Sequence, residues 1–475
     1  MTTTQDVTRE LRGEGVALGF TDRLEPGVAT LLDIPAEEKL DAFEDGARFL
    51  FSLRGKKTRD RIVAELVARG FPETSARDEV DMLPMMLSRR YLGAIMNNAA
   101  ALPGGTGLLD GRFVGVGQDA DVTVTGLPVG PVLVIGSGNA FVPAMAAATQ
   151  ALLCSCPVAL RGSRLNQRVL ELVVDALRSG GGPALASILE HLHLFFVDHR
   201  DPHENAQLHE LLRTGPFGAG VFWGGREMLD ALLPQFARNP RHPVPIPMEP
   251  LTGVAVVSQR WLARTRRAVD EEAKDLADAM VTMGQQMCSS PTEGYFVGSP
   301  ADALAFGRAV AAELDRSGEA RSRRLSDARA VLLDRVRERC EEEGSTVLVP
   351  RGAGSAWTVI VSDGDSIFSA LPPSLALPIA DRHAFLELIV VPTLEAVADR
   401  IARLPAAPCH GAIKQVQTVL RLCHLDDAQR VVTLLRPRGG VFRVVPPDHV
   451  AKRHPFEPLD GHHFVSLFTR QTVVL

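Results

Sequence analysis

From residue 131 onward, short apolar runs alternate with helical stretches, and this alternation restricts the fold more than any other feature of the chain. Val132-Leu133-Val134-Ile135 has the pattern of a buried strand and ends in Gly136-Ser137-Gly138-Asn139. A helix follows, with Pro143 suited to its first turn. Then come strand 157–160, helix 167–178, strand 194–197, helix 204–213, strand 220–222 and helix 226–233. Apolar strands separated by helices predict an α/β fold, a parallel sheet with right-handed crossovers. Ligands of such sheets bind at the C-terminal ends of the strands, where the connecting loops lie. A second alternating block opens at Gly253-Val254-Ala255-Val256-Val257 and runs to about residue 405.

The remaining segments read differently. Residues 36–100 predict helices, with Leu40, Phe43, Ala47, Phe51 and Leu53 roughly at helical spacing and Ile62, Leu66 and Val67 in the next segment. Val114, Val116, Val122 and Val124 alternate with small or polar residues over 111–127, the pattern of a half-exposed hairpin. The charged stretch 315–343 reads as a solvated helical face. The tail 464–475 is strand-like to its last residue and is expected to pair.

At 475 residues the chain exceeds what one core supports, so two or three domains are expected. A net charge of −6 gives no electrostatic reason to expect nucleic acid or an anionic membrane as partner. The longest apolar stretch, 143–160, is interrupted by Gln150, Ser155 and Pro157, and reads as helix then strand rather than a membrane span. Six scattered cysteines and no basic-then-apolar leader point to thiols in a reducing cytoplasm. Cys409-His410 and Cys423-His424 lack the short spacing of a zinc site, so no metal is expected. Cys154-Ser155-Cys156, at the start of a strand, reads as packing.

Two loops carry chemistry. Gly284-Gln285-Gln286-Met287-Cys288-Ser289-Ser290-Pro291 joins a helix to a strand, and places a thiol on a loop bounded by glycine and proline. A thiol of ordinary pKa, about 8.5, is partly ionised at neutral pH, and a backbone N–H there can support an oxyanion. An inert buried cysteine is the competing reading. Gly136-Ser137-Gly138-Asn139-Ala140-Phe141 is a poor dinucleotide fingerprint, since Phe141 stands where the third glycine belongs. Asn139 can instead aim its amide at a carbonyl oxygen, or serve as a turn former.

Taken in order, these segments resemble the aldehyde dehydrogenase superfamily. Leu127-Pro128-Val129-Gly130-Pro131 through Asn139 is similar to the strand and loop whose Asn shares the oxyanion hole with the nucleophile's N–H. Cys156-Pro157-Val158-Ala159-Leu160-Arg161 resembles the strand ending at the cofactor's adenosine ribose. Arg161 stands there in place of lysine, and with Ser163 and Arg164 it implies NADPH rather than NADH. Phe222-Trp223-Gly224-Gly225-Arg226 resembles the helix start near the cofactor diphosphate, with Gly224 and Gly225 as the approach. Met248-Glu249-Pro250 resembles the general-base segment, Gln286-Met287-Cys288 the nucleophile segment, and Phe385-Leu386-Glu387 the segment holding the nicotinamide ribose.

Within the superfamily, Gln285-Gln286-Met287-Cys288-Ser289-Ser290-Pro291, Trp223-Gly224-Gly225, Gln415-Val416-Gln417-Thr418-Val419 and Gly439-Gly440-Val441-Phe442 are most similar to fatty acyl-CoA reductases of the bacterial luminescence (LuxC) type. The resemblance covers roughly 110–475. It implies a Rossmann-type NAD(P)-binding domain from 1–250 and 410–463, a catalytic domain from 251–409, and a β arm from 111–127 and 464–475. That arm would build a homodimer or dimer of dimers. The implied reaction is NADPH-dependent reduction of an acyl-CoA or acyl-carrier-protein thioester to the aldehyde, with a possible acyl-supplying partner enzyme. Glu249 complicates it, because a positioned carboxylate suits hydrolysis of the acyl-enzyme. An oxidising aldehyde dehydrogenase is therefore the alternative, and a non-catalytic acyl-handling scaffold the second.

Overall fold

The computed structural model describes residues 19–98, 101–102, 104–115, 123–265, 267–285, 287–318, 320, 325, 327–350, 356–371, 375, 382–406 and 413–474. They form two compact units. The first runs to Glu249 and takes back the chain from His454; the second is Pro250–Arg453.

The first unit begins with helices Thr21–Leu32, Ala36–Phe51, Leu53–Ala68, Glu73–Leu87 and Arg89–Met96. Leu40, Phe43 and Ala47 enter the core as their spacing predicts, but Phe51 and Leu53 do not. Ser52 adopts an extended conformation, accepts the Gly55 N–H at 3.0 Å and starts a new helix. The helical phase is reset there and Leu53 is turned outward, while at the end of the first helix Leu50 takes the buried position and leaves Phe51 exposed.

Strands β1 (Val114–Gly115), β2 (Thr123–Pro128), β3 (Val132–Ile135), β4 (Val158–Arg161), β5 (Leu192–Phe195), β6 (Ala219–Trp223) and β7 (Val244–Met248) follow. Residues 116–122 of the expected hairpin lie outside the described residues. The last five strands form one parallel sheet in the order β5-β4-β3-β6-β7. The chain moves outward from β3 through β4 to β5, then returns to place β6 on the other side of β3. This reversal is the switch point at which doubly wound sheets bind ligands. β5 begins at Leu192, not residue 194, because the additional helix Gly182–Leu189 delivers the chain earlier.

The second unit holds β8 (Leu251–Ser258), β9 (Pro291–Val297), β10 (Thr346–Leu348), β11 (Thr358–Asp363), β12 (Phe385–Val391), β13 (Gln415–Leu422) and β14 (Arg443–Val445), in the order β10-β11-β12-β9-β8-β13-β14. Only β10 runs antiparallel to its neighbour. This corrects the expected return of 410–463 to the first unit. β8 is buried at all eight positions and needs a strand on each side; β9 supplies one and β13 the other. The return begins at His454.

The C-terminal strand β15 (Thr469–Val474) pairs antiparallel with β2, which pairs with β1. The tail is not strand throughout, since Phe464–Leu467 forms a helical turn. That turn stacks Phe464 on Phe468 and sets Phe464 edge-on to Trp223, burying both phenyl rings as a straight strand would not.

Candidate active site

In the first unit, the candidate residues are loop residues at the C-terminal ends of adjacent parallel strands. Asn139 follows β3; Arg161 ends β4, with Ser163 and Arg164 after it; Gly224 and Gly225 follow β6; Glu249 follows β7. The sheet therefore gathers all of them on one rim. Asn139 is exposed, in a loop pinned by Ser137, whose hydroxyl donates to the Ala140 carbonyl at 2.8 Å. Arg226 lies 3.7 Å from Glu249, which ties the β6 and β7 loops together.

Two helix N-termini flank the switch point, and they differ in a way that decides where an anion fits. At the helix Val142–Leu153, the backbone N–H groups of Phe141 and Val142 donate to Oε1 of Glu79 at 2.5 and 3.0 Å. Glu79 is fully buried and comes from the helix Glu73–Leu87. The Glu79 carboxyl already occupies these amides, which leaves them engaged rather than open to a phosphate. At the helix Arg226–Ala237 the N-cap is Gly225, with no side-chain cap, and a Cβ at Gly225 would meet nothing within 4 Å. Open amides at a helix start, with a cation beside them, suit a diphosphate. The residues present fit a dinucleotide here, rather than at Gly136-Ser137-Gly138.

Arg161 is half-buried and donates to the Val197 carbonyl at 2.8 Å, while its buried Nε has no partner among the described residues. Burial lowers its pKa from the usual arginine value. Ser163 accepts the Asn166 N–H at 3.1 Å and keeps its own O–H to donate. Arg164 is exposed.

In the second unit the helix Ala268–Val281 ends at Thr282, and Met283, Gly284 and Gln285 all take left-handed conformations with φ between 52° and 60°. Two of these three are not glycine, a costly arrangement that must be held from outside. Gln285 supplies the hold. Its buried amide donates to the carbonyls of Pro291 (2.6 Å) and Phe385 (2.7 Å) and accepts the Phe385 N–H (2.8 Å). It thus behaves as an extra rung at the starts of β9 and β12. Beyond it, the Ser290 N–H donates to the Met287 carbonyl at 3.0 Å, a turn with Cys288 at its second position. The Ser289 hydroxyl donates to the Val450 carbonyl at 3.1 Å. Gly253 in β8 lies so close that a Cβ there would collide with the Ser289 carbonyl. Cys288, on this braced turn, is half-buried. Cys154, Cys156, Cys340 and Cys423 are buried, and burial drives all four thiols upward, the last two to about 12. Cys409 lies outside the described residues.

No protein-family model matches the chain, and no curated protein matches its sequence. Solved structures do match its fold. An oxidoreductase from Marinobacter aquaeolei superposes with a TM-score of 0.67 at 15% identity, covering 95% of this chain and 90% of that one. Aldehyde dehydrogenase 21 from Physcomitrella patens, in complex with the product succinate, gives 0.67 at 13%, covering 96% and 89%. Glyceraldehyde-3-phosphate dehydrogenase from Methanocaldococcus jannaschii, complexed with NADP, gives 0.66 at 12%, covering 96% and 93%. The chain has the aldehyde dehydrogenase fold.

Glu387, which the resemblance places at the nicotinamide ribose, is enclosed by protein. It lies in β12 with no exposed surface, accepting from the Ser362 hydroxyl (2.8 Å), the Ser366 hydroxyl (2.6 Å) and the Ile367 N–H (2.7 Å). Its register neighbour on β9 is Glu293. Burial first, and that second carboxylate next, push its pKa up to about 7. Sequence reasoning also missed Glu79, Gln285 and Gly253. Glu79 left a signal: it shares the buried face of its helix with Ala76, Val80 and Leu83, where a carboxylate needs a reason.

Among the described residues, no group of three or more His, Cys, Asp or Glu could hold a metal, and no helix is long and apolar enough to cross a membrane.

Proposed function

We propose that this chain is an NAD(P)H-dependent oxidoreductase that carries an acyl group on Cys288, and that it reduces an acyl thioester, of CoA or an acyl carrier protein, to the aldehyde. The supporting observation is the Cys288 turn. It is the accessible thiol among the described cysteines, on a loop whose strained approach is held by Gln285 and whose backbone is seated against Gly253. Such bracing holds a nucleophile in one geometry.

The Cys288 thiolate attacks the thioester carbonyl, forms the new C–S bond and expels the carrier thiolate, which takes up a proton. The Cys288 N–H and the Asn139 amide are the proposed donors to the oxyanion. NADPH would be held by Gly224 and Gly225 at its diphosphate and by Arg161, Ser163 and Arg164 at its 2′-phosphate, and would supply the hydride that reduces the Cys288 thioester. The thiohemiacetal at Cys288 then breaks its C–S bond, releasing the aldehyde and restoring the thiolate. The reductase reading requires that Glu249, 3.7 Å from Arg226, leave the acyl-enzyme unhydrolysed.

The names of the structural neighbours favour a second reading, oxidation of an aldehyde to the acid with Glu249 as base. One experiment separates them. Under the reductase reading, a panel of acyl-CoA thioesters without cofactor adds one acyl mass to the Cys288 peptide, and adding NADPH releases aldehyde. Fast hydrolysis of that acyl-enzyme by the parent protein, lost in Glu249→Gln, would reverse the order.

A further inference from the structure

The net charge of −6 conceals a strongly basic corner. Between Leu53 and Arg61 the chain carries Arg54, Lys56, Lys57, Arg59 and Arg61 against the single carboxylate Asp60. Arg59 pairs with Asp81 and Asp60 lies 3.7 Å from Arg77. Arg54, Lys56, Lys57 and Arg61 are exposed and form no ion pair with another described residue. Three of these four lie in the first turns of the helix Leu53–Ala68, whose first turn has no acidic residue. Cations at the positive end of a helix oppose its dipole, so the arrangement works against the helix unless an external anion covers it.

The same corner presents the two most exposed large apolar side chains among the described residues, Leu53 at 87% and Phe51 at 64%. They are not displayed by a loose loop. Ser52 donates to the Phe49 carbonyl at 2.6 Å and accepts the Gly55 N–H at 3.0 Å. A Cβ at Gly55 would collide with the Phe49 carbonyl. The turn between the two helices is therefore tight and defined, and it holds an aromatic and an aliphatic side chain beside Arg54, Lys56 and Lys57.

We propose that this corner docks the protein peripherally on an anionic lipid surface, with Phe51 and Leu53 entering the acyl boundary and Arg54, Lys56, Lys57 and Arg61 facing lipid phosphates. A protruding tip of two apolar side chains offers too little area for a stable protein–protein contact, which buries about 800 Å² per partner. A bilayer closes around such a tip, and apolar insertion together with several cations gives the two signals that stable surface binding requires.

The test is co-sedimentation of the full chain with vesicles of phosphatidylcholine alone and of phosphatidylcholine with about one third phosphatidylglycerol, at low and high salt. Binding to the second vesicles only, weakened by salt, is expected. Phe51→Ser with Leu53→Ser, and separately Lys56→Glu with Lys57→Glu, each reduce it by about tenfold or more. Both variants alter exposed residues, so thermal melting and Cys288 acylation stay at parent values. The proposal is overturned if the parent ignores anionic vesicles, or if neither variant changes binding. Capture on an immobilised acidic protein without vesicle binding also overturns it, and assigns the corner to a protein partner.

Discussion

The thiols differ in surroundings more than in chemistry, and that difference predicts selectivity. At pH 7–8, iodoacetamide should alkylate Cys288 while sparing Cys154, Cys156, Cys340 and Cys423, whose burial raises their pKa. Peptide mass mapping reads this directly, and prior modification of a buried thiol would contradict it. Cys288→Ala should lower turnover by about 10³-fold or more with melting unchanged. Glu79 and Glu387 make a separate prediction. Burial raises both from 4.5 to about 7, so between those values the folded protein keeps protons that the unfolded chain has lost. Their contribution to stability is complete below about 4.5 and is lost as pH rises through 7. Glu79→Gln keeps an acceptor for the Phe141 and Val142 amides without the titration. Its melting temperature should therefore fall less than the parent's across that window, and parallel curves would show that Glu79 does not titrate there.

Strands and helices with strong periodicity were legible in the sequence; features set by contacts between distant segments were not. β3, β4 and β6 lie where their apolar runs placed them, because a buried parallel strand has few other solutions. Leu53 fits a helical spacing and still escaped the core, since one capping serine changes the phase without altering the apolar pattern, and Phe51 yields the buried place at its helix end to Leu50. The loop position of Cys288 was legible in the sequence, and the burial of Glu387 was not. A Phe-Leu-Glu string cannot show that its carboxylate will be consumed by Ser362 of β11 and by Ser366 and Ile367 at the start of the following helical turn. The Gln285 clamp depends on Phe385, a hundred positions away, and no local pattern announces it. Gln285→Ala should release the three left-handed residues before Cys288. The acylation rate should fall about tenfold or more while cofactor affinity holds, as stopped-flow acylation and equilibrium titration would show. Gly253→Ala should cost about 1–3 kcal/mol, measured by denaturant unfolding, because neither backbone can move aside.

At the scale of the whole molecule, the sheet β1-β2-β15 ends on an exposed strand, with Val473 and Val474 at 56% and 44% exposure. Such an edge invites another strand, and we propose that a second copy of the chain supplies it, as the arm implied by the resemblance would. Val473→Lys with Val474→Lys should convert a dimer to monomer by light scattering; an unchanged mass would place the interface elsewhere. The way the first unit closes has a consequence for synthesis. Its final strand and the Phe464 that packs on Trp223 emerge from the ribosome only after all of Pro250–Arg453 has been made. At about 5–20 residues per second, the nascent first unit waits on the order of tens of seconds with β2 lacking β15. A transcript cut short after Arg453 yields a second unit with all seven of its strands tethered to a first unit that cannot finish, and its fate is aggregation or proteolysis.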